Sequence, residues 1–120
     1  MKKIAVAFDV DGTLIRNDSA GDMDGGTPIA NEKIRSLLIT LSSFKNIKII
    51  VLSGGGELYV RQVCAAIGIT KYVDKYYSKN LVGTKDDGSH DFKPDITPDI
   101  AIDDIQDCEL GILNLIVREK

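Results

Sequence analysis

The chain is poor in the residues behind several common chemistries: its 120 positions hold no tryptophan, two cysteines, one histidine and three prolines. Cys64 and Cys108 lie far apart in segments that read as helical. That offers neither a disulfide framework nor a Cys-x-x-Cys metal site, and leaves both as small apolar packing residues. The lone histidine, His90, falls in the polar stretch KDDGSHDF. A serine or cysteine nucleophile would have only this imidazole as its base, in a loop where side chains are usually solvated. An excess of positive charge is also missing, since fifteen basic against eighteen acidic side chains give a net charge of -3. Nucleic acid is therefore not indicated as a partner, and neither is an anionic membrane. The first apolar run, in MKKIAVAF, stops at Asp9, too short for a signal-peptide core or a membrane span, so a cytoplasmic location is expected.

Apolar residues at 43% and charged ones at 28% are typical of a folded domain, and the length suits one core, so residues 1–120 read as a single domain. Ile4 to Phe8 is a continuous apolar run without helical spacing, as expected of a strand buried on both faces. Residues 14–28 carry Gly21, Gly25, Gly26 and Pro28 among several aspartates and read as a flap or loop. Thr27 and Pro28 then suit an N-cap and a first helical position. Ile34, Leu37, Leu38, Leu41 and Phe44 follow at helical spacing, which predicts a helix from there to about Phe44. Ile47 to Leu52 (IKIIVL) is a second buried strand, followed by Ser53, the glycines 54–56, a helix over Glu57 to Ile67 and a closing Gly68. Tyr72 to Ser78 is expected as a third strand, although Lys75 interrupts it, and residues 79–99 as loop or a short hairpin about LVGTKDDG. Ile100 to Ile102 predicts a fourth strand ending in Asp103-Asp104, then come a short helix about Asp107 to Leu113 and a last strand at Leu115 to Val117.

Strands alternating with helices imply an α/β, Rossmann-like open sheet of five mainly parallel strands, with right-handed crossovers and helices on both faces. Ligands of such sheets gather at the carboxyl ends of the strands. Strand 1 delivers Asp9 and Asp11 to that edge, strand 2 delivers Ser53, and strand 4 delivers Asp103 and Asp104. Each aspartate alone could equally cap a turn. Four together would repel one another at neutral pH unless a cation lay among them, and all-oxygen donors select a hard ion such as magnesium.

FDVDGT, residues 8–13, resembles motif I of the haloacid dehalogenase superfamily of phosphohydrolases and phosphotransferases, an apolar run followed by Asp-x-Asp-Gly-Thr. Average residue usage produces those four specified letters by chance on the order of once per thousand chains of this length. The superfamily's second motif, a serine or threonine ending strand 2, is matched by VLS at Ser53. Its third, a lysine often followed by proline, is matched by Lys93-Pro94, with Lys79 and Lys85 as competitors. Its fourth, an acidic pair ending strand 4, is matched by AIDD at 101–104, with Asp107 a further acidic candidate. Members normally place a full helix between the lysine and the fourth strand, whereas only residues 94–99 separate Lys93 from Ile100.

The resemblance implies a magnesium-dependent phosphatase. Asp9 would attack phosphorus, Asp11 would act as general acid and then base, and Lys93 would neutralise charge in the site. Ser53, the Gly54 amide and Thr13 would bind phosphate oxygens. Magnesium would sit between the Asp9 carboxylate, the Asp11 backbone carbonyl and Asp104, with Asp103 or Asp107 holding its waters. Neither residues 14–28 nor 68–92 leave room for a cap domain, so a capless member is implied. Such members act on large phosphorylated substrates or small ones, in the latter case borrowing a cap from a neighbour in a homo-oligomer. DMDGG at 22–26 repeats the Asp-x-Asp-Gly pattern but follows no apolar strand and lacks the remaining ligands of a calcium loop, so it reads as a turn. Two rivals stand beside this reading: a phosphate-binding module of the same fold without turnover, and a two-component receiver domain. A receiver carries its acidic pair after strand 1 and its phosphorylated aspartate after strand 3, the reverse of the order here.

Overall fold

The computed structural model describes residues 3–16, 28–84, 90–94, 96–104 and 111–117, with residues 80–84 and 90–94 described by their backbone. The elements in chain order are β1 (Ile4–Asp9), α1 (Glu32–Ser42), β2 (Ile47–Ser53), α2 (Glu57–Ala66), β3 (Lys75–Thr84), β4 (His90–Pro94), β5 (Ile100–Asp103) and β6 (Leu113–Ile116). They form a sheet in the order β4-β3-β2-β1-β5-β6. β1, β2, β3, β5 and β6 are parallel, and β4 runs antiparallel to β3. This is the Rossmann-like α/β class that the alternation of apolar runs predicts. Counting the parallel strands alone, the order is 3-2-1-4-5, whereas receiver domains have 2-1-3-4-5, so the receiver reading falls on topology. The strand order reverses between β1 and β5, and the crevice at such a reversal is where this class binds ligands.

Period-two alternation assigns the two sheet faces. Val6, Phe8, Ile49, Val51 and Ile102 pack with Leu38 of α1 and Val60, Val63 and Cys64 of α2 in one fully buried cluster. Ala7, Ile50, Leu52 and Ala101 form a second, smaller cluster on the opposite face, with Ala5, Tyr77 and Ile96 against it. Both described helices therefore cover one face, and residues 105–110, the link from β5 to β6, lie outside the described residues. So do Asp107, Cys108 and most of the short helix expected there. Cys64 is the packing residue that its context implies, and burial pushes its thiol up to about 12.

Several boundaries differ from those that the sequence predicts. α1 starts at Glu32 behind an Asn31 cap, whose side chain accepts from the Ile34 amide, rather than at Thr27-Pro28. The backbone explains the delay. Arg16 N donates to Ile29 O at 2.8 Å, Asn31 N donates to Leu14 O at 2.8 Å, and Ile15 bridges Ala30, so residues 29–31 are already committed to the loop after β1. α2 ends as expected at Gly68, whose amide donates to Ala65 O while that of Ile69 donates to Cys64 O, the paired bonds of a Schellman motif. The final strand begins two residues earlier than expected, at Leu113.

The largest difference concerns the third strand. A 3-10 turn occupies Thr70–Tyr72, and β3 begins only at Lys75. Residues 75–78 pair with β2 as far as Ser53 opposite Ser78. The strand then runs on beyond the carboxyl edge of the parallel sheet, and residues 79–84 pair with β4 instead. The region 79–99 thus contains a hairpin longer than LVGTKDDG, and His90, expected in a loop, opens its second strand.

Candidate active site

Strand register puts the ends of four strands in rows. Asp9 lies opposite Leu52, Leu52 opposite Tyr77, and Phe8 opposite Ile102, so Asp9 and Asp103 stand level on neighbouring strands across the point where strand order reverses. Parity then aims them. Asp9 alternates with Ala7, Asp103 with Ala101 and Lys79 with Tyr77, so all three share the face opposite the helices. The small alanines below leave room for charged side chains above.

These three meet in the interior. Asp9 is 5% exposed, Asp103 3% and Lys79 6%. Lys79 Nζ lies 2.5 Å from Asp9 Oδ1 and donates to Asp103 Oδ2 at 2.8 Å. Asp104, half-buried, joins them, and one oxygen from each of Asp9, Asp103 and Asp104 lies within 4.8 Å of the others. Burial, with repulsion from Asp103 and Asp104 added, pushes the Asp9 carboxyl well above the usual carboxylate range against the pull of Lys79. Burial and a hydrogen bond with Asp103 raise Asp104. Burial lowers the hold of Lys79 on its proton, but its carboxylate partners outweigh that effect and raise it above the usual lysine range. With all three carboxylates ionised, the group would carry two more negative charges than the one ammonium offsets. The acidic triad could hold a metal ion.

The lysine in contact with Asp9 is thus Lys79, where motif order favours Lys93. Lys93 lies on β4 with its backbone opposite Asn80, and its side chain is outside the described residues, as is Lys85. The overrun of β3 explains the difference: Lys79 is the first residue beyond the Ser53–Ser78 row and so projects over the ends of β1 and β5.

Asp11 is separated from the triad. The loop 9–15 folds back on the end of β1: Thr13 N and Ile15 N donate to Val10 O, and Leu14 N to Asp9 O. Gly12, at φ +78, supplies the left-handed turn that a side chain would disfavour. Val10, Leu14 and Ile15 plug this loop into the core, giving Asp11 a rigid base. Its carboxylate, half-buried, accepts from the Tyr59 hydroxyl at 2.5 Å through Oδ1. Tyr59 is a contact that motif reading does not supply; the available signal is its place in the first turn of the helix that follows SGGG.

Ser53 is buried at the end of β2, and its Oγ accepts from the Gly55 amide at 3.1 Å, which leaves the hydroxyl proton free to donate elsewhere. Gly54 is an exposed turn residue ahead of α2. Thr13 is fully buried, and its Oγ1 has no hydrogen-bond partner among the described residues. An orphaned buried hydroxyl costs about 1–3 kcal/mol, and this one lies in the same loop as Asp11, two residues further on. No helix among the described residues is long and apolar enough to cross a membrane. Comparison with family models, curated proteins and solved structures finds no match for this chain.

Proposed function

We propose that the chain is a magnesium-dependent phosphatase of the haloacid dehalogenase type, hydrolysing a phosphate monoester through an aspartyl-phosphate on Asp9. The observation that carries this reading is the buried group of Asp9, Asp103 and Lys79, joined by the half-buried Asp104 at the reversal of strand order, with Asp11 held apart two residues on. A site built only to cap turns has no reason to bury two carboxylates and one lysine together beside a third, half-buried carboxylate, since each ion removed from water costs several kcal/mol.

The donor set fits a hard divalent cation, because it is all oxygen and, once ionised, carries two excess negative charges. Asp9, Asp103 and Asp104 would hold it, and when bound it would offset the repulsion between a carboxylate nucleophile and an anionic ester. An Asp9 carboxylate oxygen forms the new bond to phosphorus as the ester P–O bond breaks. Asp11 delivers its proton to the leaving oxygen, then takes one from the water that attacks the aspartyl-phosphate, releasing phosphate and restoring Asp9. Two residues of strand end separate the roles, so nucleophile and proton carrier need not share an oxygen. Lys79 pulls Asp9 towards its anionic form and faces the charge transferred to it. The Ser53 hydroxyl proton, the Gly54 amide at the start of α2 and the Thr13 hydroxyl are donors for the phosphate oxygens. The substrate class is phosphate monoesters, borne by a small molecule or a macromolecule.

The test is a phosphatase screen with 4-nitrophenyl phosphate and a panel of metabolite phosphates, with magnesium and with chelator. Turnover is expected only with the metal and is lost in Asp9→Asn. Undiminished turnover by that variant would sink the aspartyl-phosphate reading, and metal binding without turnover on any substrate would favour a phosphate-binding module.

A further inference from the structure

The Tyr59–Asp11 hydrogen bond joins the helix behind the Gly-rich turn to the proton-carrying carboxylate, and the packing around it is specific. The Tyr59 ring lies against Gly55: a Cβ built there would stand 2.7 Å from Cδ2, closer than real Cβ contacts come, and 3.1 Å from Cγ, tighter than most of them. Only glycine at 55 lets the ring cross the turn at this depth, and the crossing carries the hydroxyl to Asp11 Oδ1. A phenol that donates to one carboxylate oxygen fixes the rotation of that carboxylate. It also leaves Oδ2 as the oxygen that the phenol does not engage.

From this geometry we infer that Tyr59 is a positioning residue for proton transfer. It holds Asp11 by Oδ1 so that the proton given to the leaving group travels on Oδ2, and Gly55 is the notch that lets it do so. The inference rests on the proposed phosphatase reading. In the transfer, the Asp11 Oδ2–H bond breaks and the proton goes to the ester oxygen whose bond to phosphorus is breaking, while Tyr59 keeps its own proton throughout. Its contribution is orientation, and orientation matters only where a proton is needed.

Leaving groups supply the test. A 4-nitrophenolate departs without a proton, whereas an alkoxide needs one, so the two substrate types read different demands on Asp11. The experiment measures kcat/KM with magnesium for 4-nitrophenyl phosphate and for an alkyl phosphate such as glycerol phosphate, in wild type, Tyr59→Phe, Gly55→Ala, Asp11→Asn and the Tyr59→Phe/Asp11→Asn double variant. General acid catalysis contributes about 10²–10⁴-fold, and losing its alignment is expected to forfeit roughly ten- to a hundredfold. Tyr59→Phe should lose that factor on the alkyl ester and less than about threefold on the aryl ester, with Gly55→Ala following the same pattern. In the Asp11→Asn background Tyr59→Phe should change nothing further, as expected of residues that act as one unit. Equal losses on both esters, no loss, or a loss that persists without Asp11 would overturn the assignment while leaving the phosphatase reading intact. A wild type that hydrolyses neither ester removes that reading and the role of Tyr59 together.

Discussion

Lys79→Met removes the ammonium and keeps most of the side chain's bulk, which isolates the charge. Lys79 Nζ stands 2.5 Å from Asp9 and 2.8 Å from Asp103, with all three side chains nearly inaccessible to water. At an effective dielectric of 20, each contact is worth about 6 kcal/mol of Coulomb attraction. Against this stands the cost of keeping an ammonium out of water, several kcal/mol, which the variant recovers. Removal of one partner from a buried pair costs about 3–5 kcal/mol, and that is the loss of stability expected at pH 7 in chelator. A domain of this size has about 5–15 kcal/mol to lose, so the variant should remain folded and measurable.

Two dependences separate this mechanism from a packing defect. Without Lys79, Asp9 takes up a proton still more readily, so the loss should shrink as pH falls from 7 towards 5. Added magnesium should also recover part of it, by supplying positive charge to the same oxygens. Urea titrations with unchanged m-values, at both pH values and with or without the metal, measure all three quantities. Lys93→Met, which leaves the contacts of Lys79 with Asp9 and Asp103 in place, should cost less stability than Lys79→Met. A loss below about 1 kcal/mol for Lys79→Met, a loss independent of pH, or a larger loss for Lys93→Met would refute the placement of positive charge argued here.

Wild-type stability in chelator should itself depend on pH. Asp9 and Asp104 both have raised folded-state pKa values, so above about pH 4 the folded chain holds more protons than the unfolded one and stability falls as pH rises through the folded values. The slope, measured by thermal melts between pH 5 and 8, is limited to about 1.4 kcal/mol per pH unit for each such proton, and a rising or flat profile would contradict it. Magnesium should raise the melting temperature at pH 7.5, equivalent to about 2.7 kcal/mol at a hundred times its Kd. Asp104→Asn should weaken that shift, and an unaltered shift in the variant would exclude Asp104 as a ligand.

The parts of the site legible in sequence are those where an apolar run ends on a polar residue. Asp9, Ser53 and Asp103 terminate strands buried on both faces, and a strand end is a definite place in a parallel sheet, so run length alone fixes the row. Asp11 and Gly12 were legible because a tight turn restricts the residue types it accepts. The start of α1 was not, because Thr27-Pro28 is a sound local signal that the long-range bonds of residues 29–31 to the loop after β1 override. Lys79 escaped for a related reason. In KYYSKN nothing local says that β3 continues past the sheet edge, since the continuation depends on pairing with a strand that begins at His90. Tyr59 escaped because its partner is forty-eight residues away, and its fit depends on the missing side chain of Gly55.

Lys93-Pro94 acquires a different meaning once the hairpin is known. Pro94 lies opposite Lys79 and Lys93 opposite Asn80, so this dipeptide closes the return strand at the point where β3 leaves the parallel sheet. A proline has no amide hydrogen to continue the ladder, which suits the last position of β4. The backbone of Lys79 is therefore pinned on both sides in succession, by Ser53 opposite Ser78 on β2 and by Pro94 on β4. Holding a lysine side chain in one rotamer costs roughly 2 kcal/mol, and a wandering backbone would add to that. A lysine at the fork of two pairings starts from a fixed origin, so its ammonium can bridge Asp9 and Asp103. The lysine of the acidic group is thus delivered by β3, ahead of the hairpin turn and of Lys93 on the return strand.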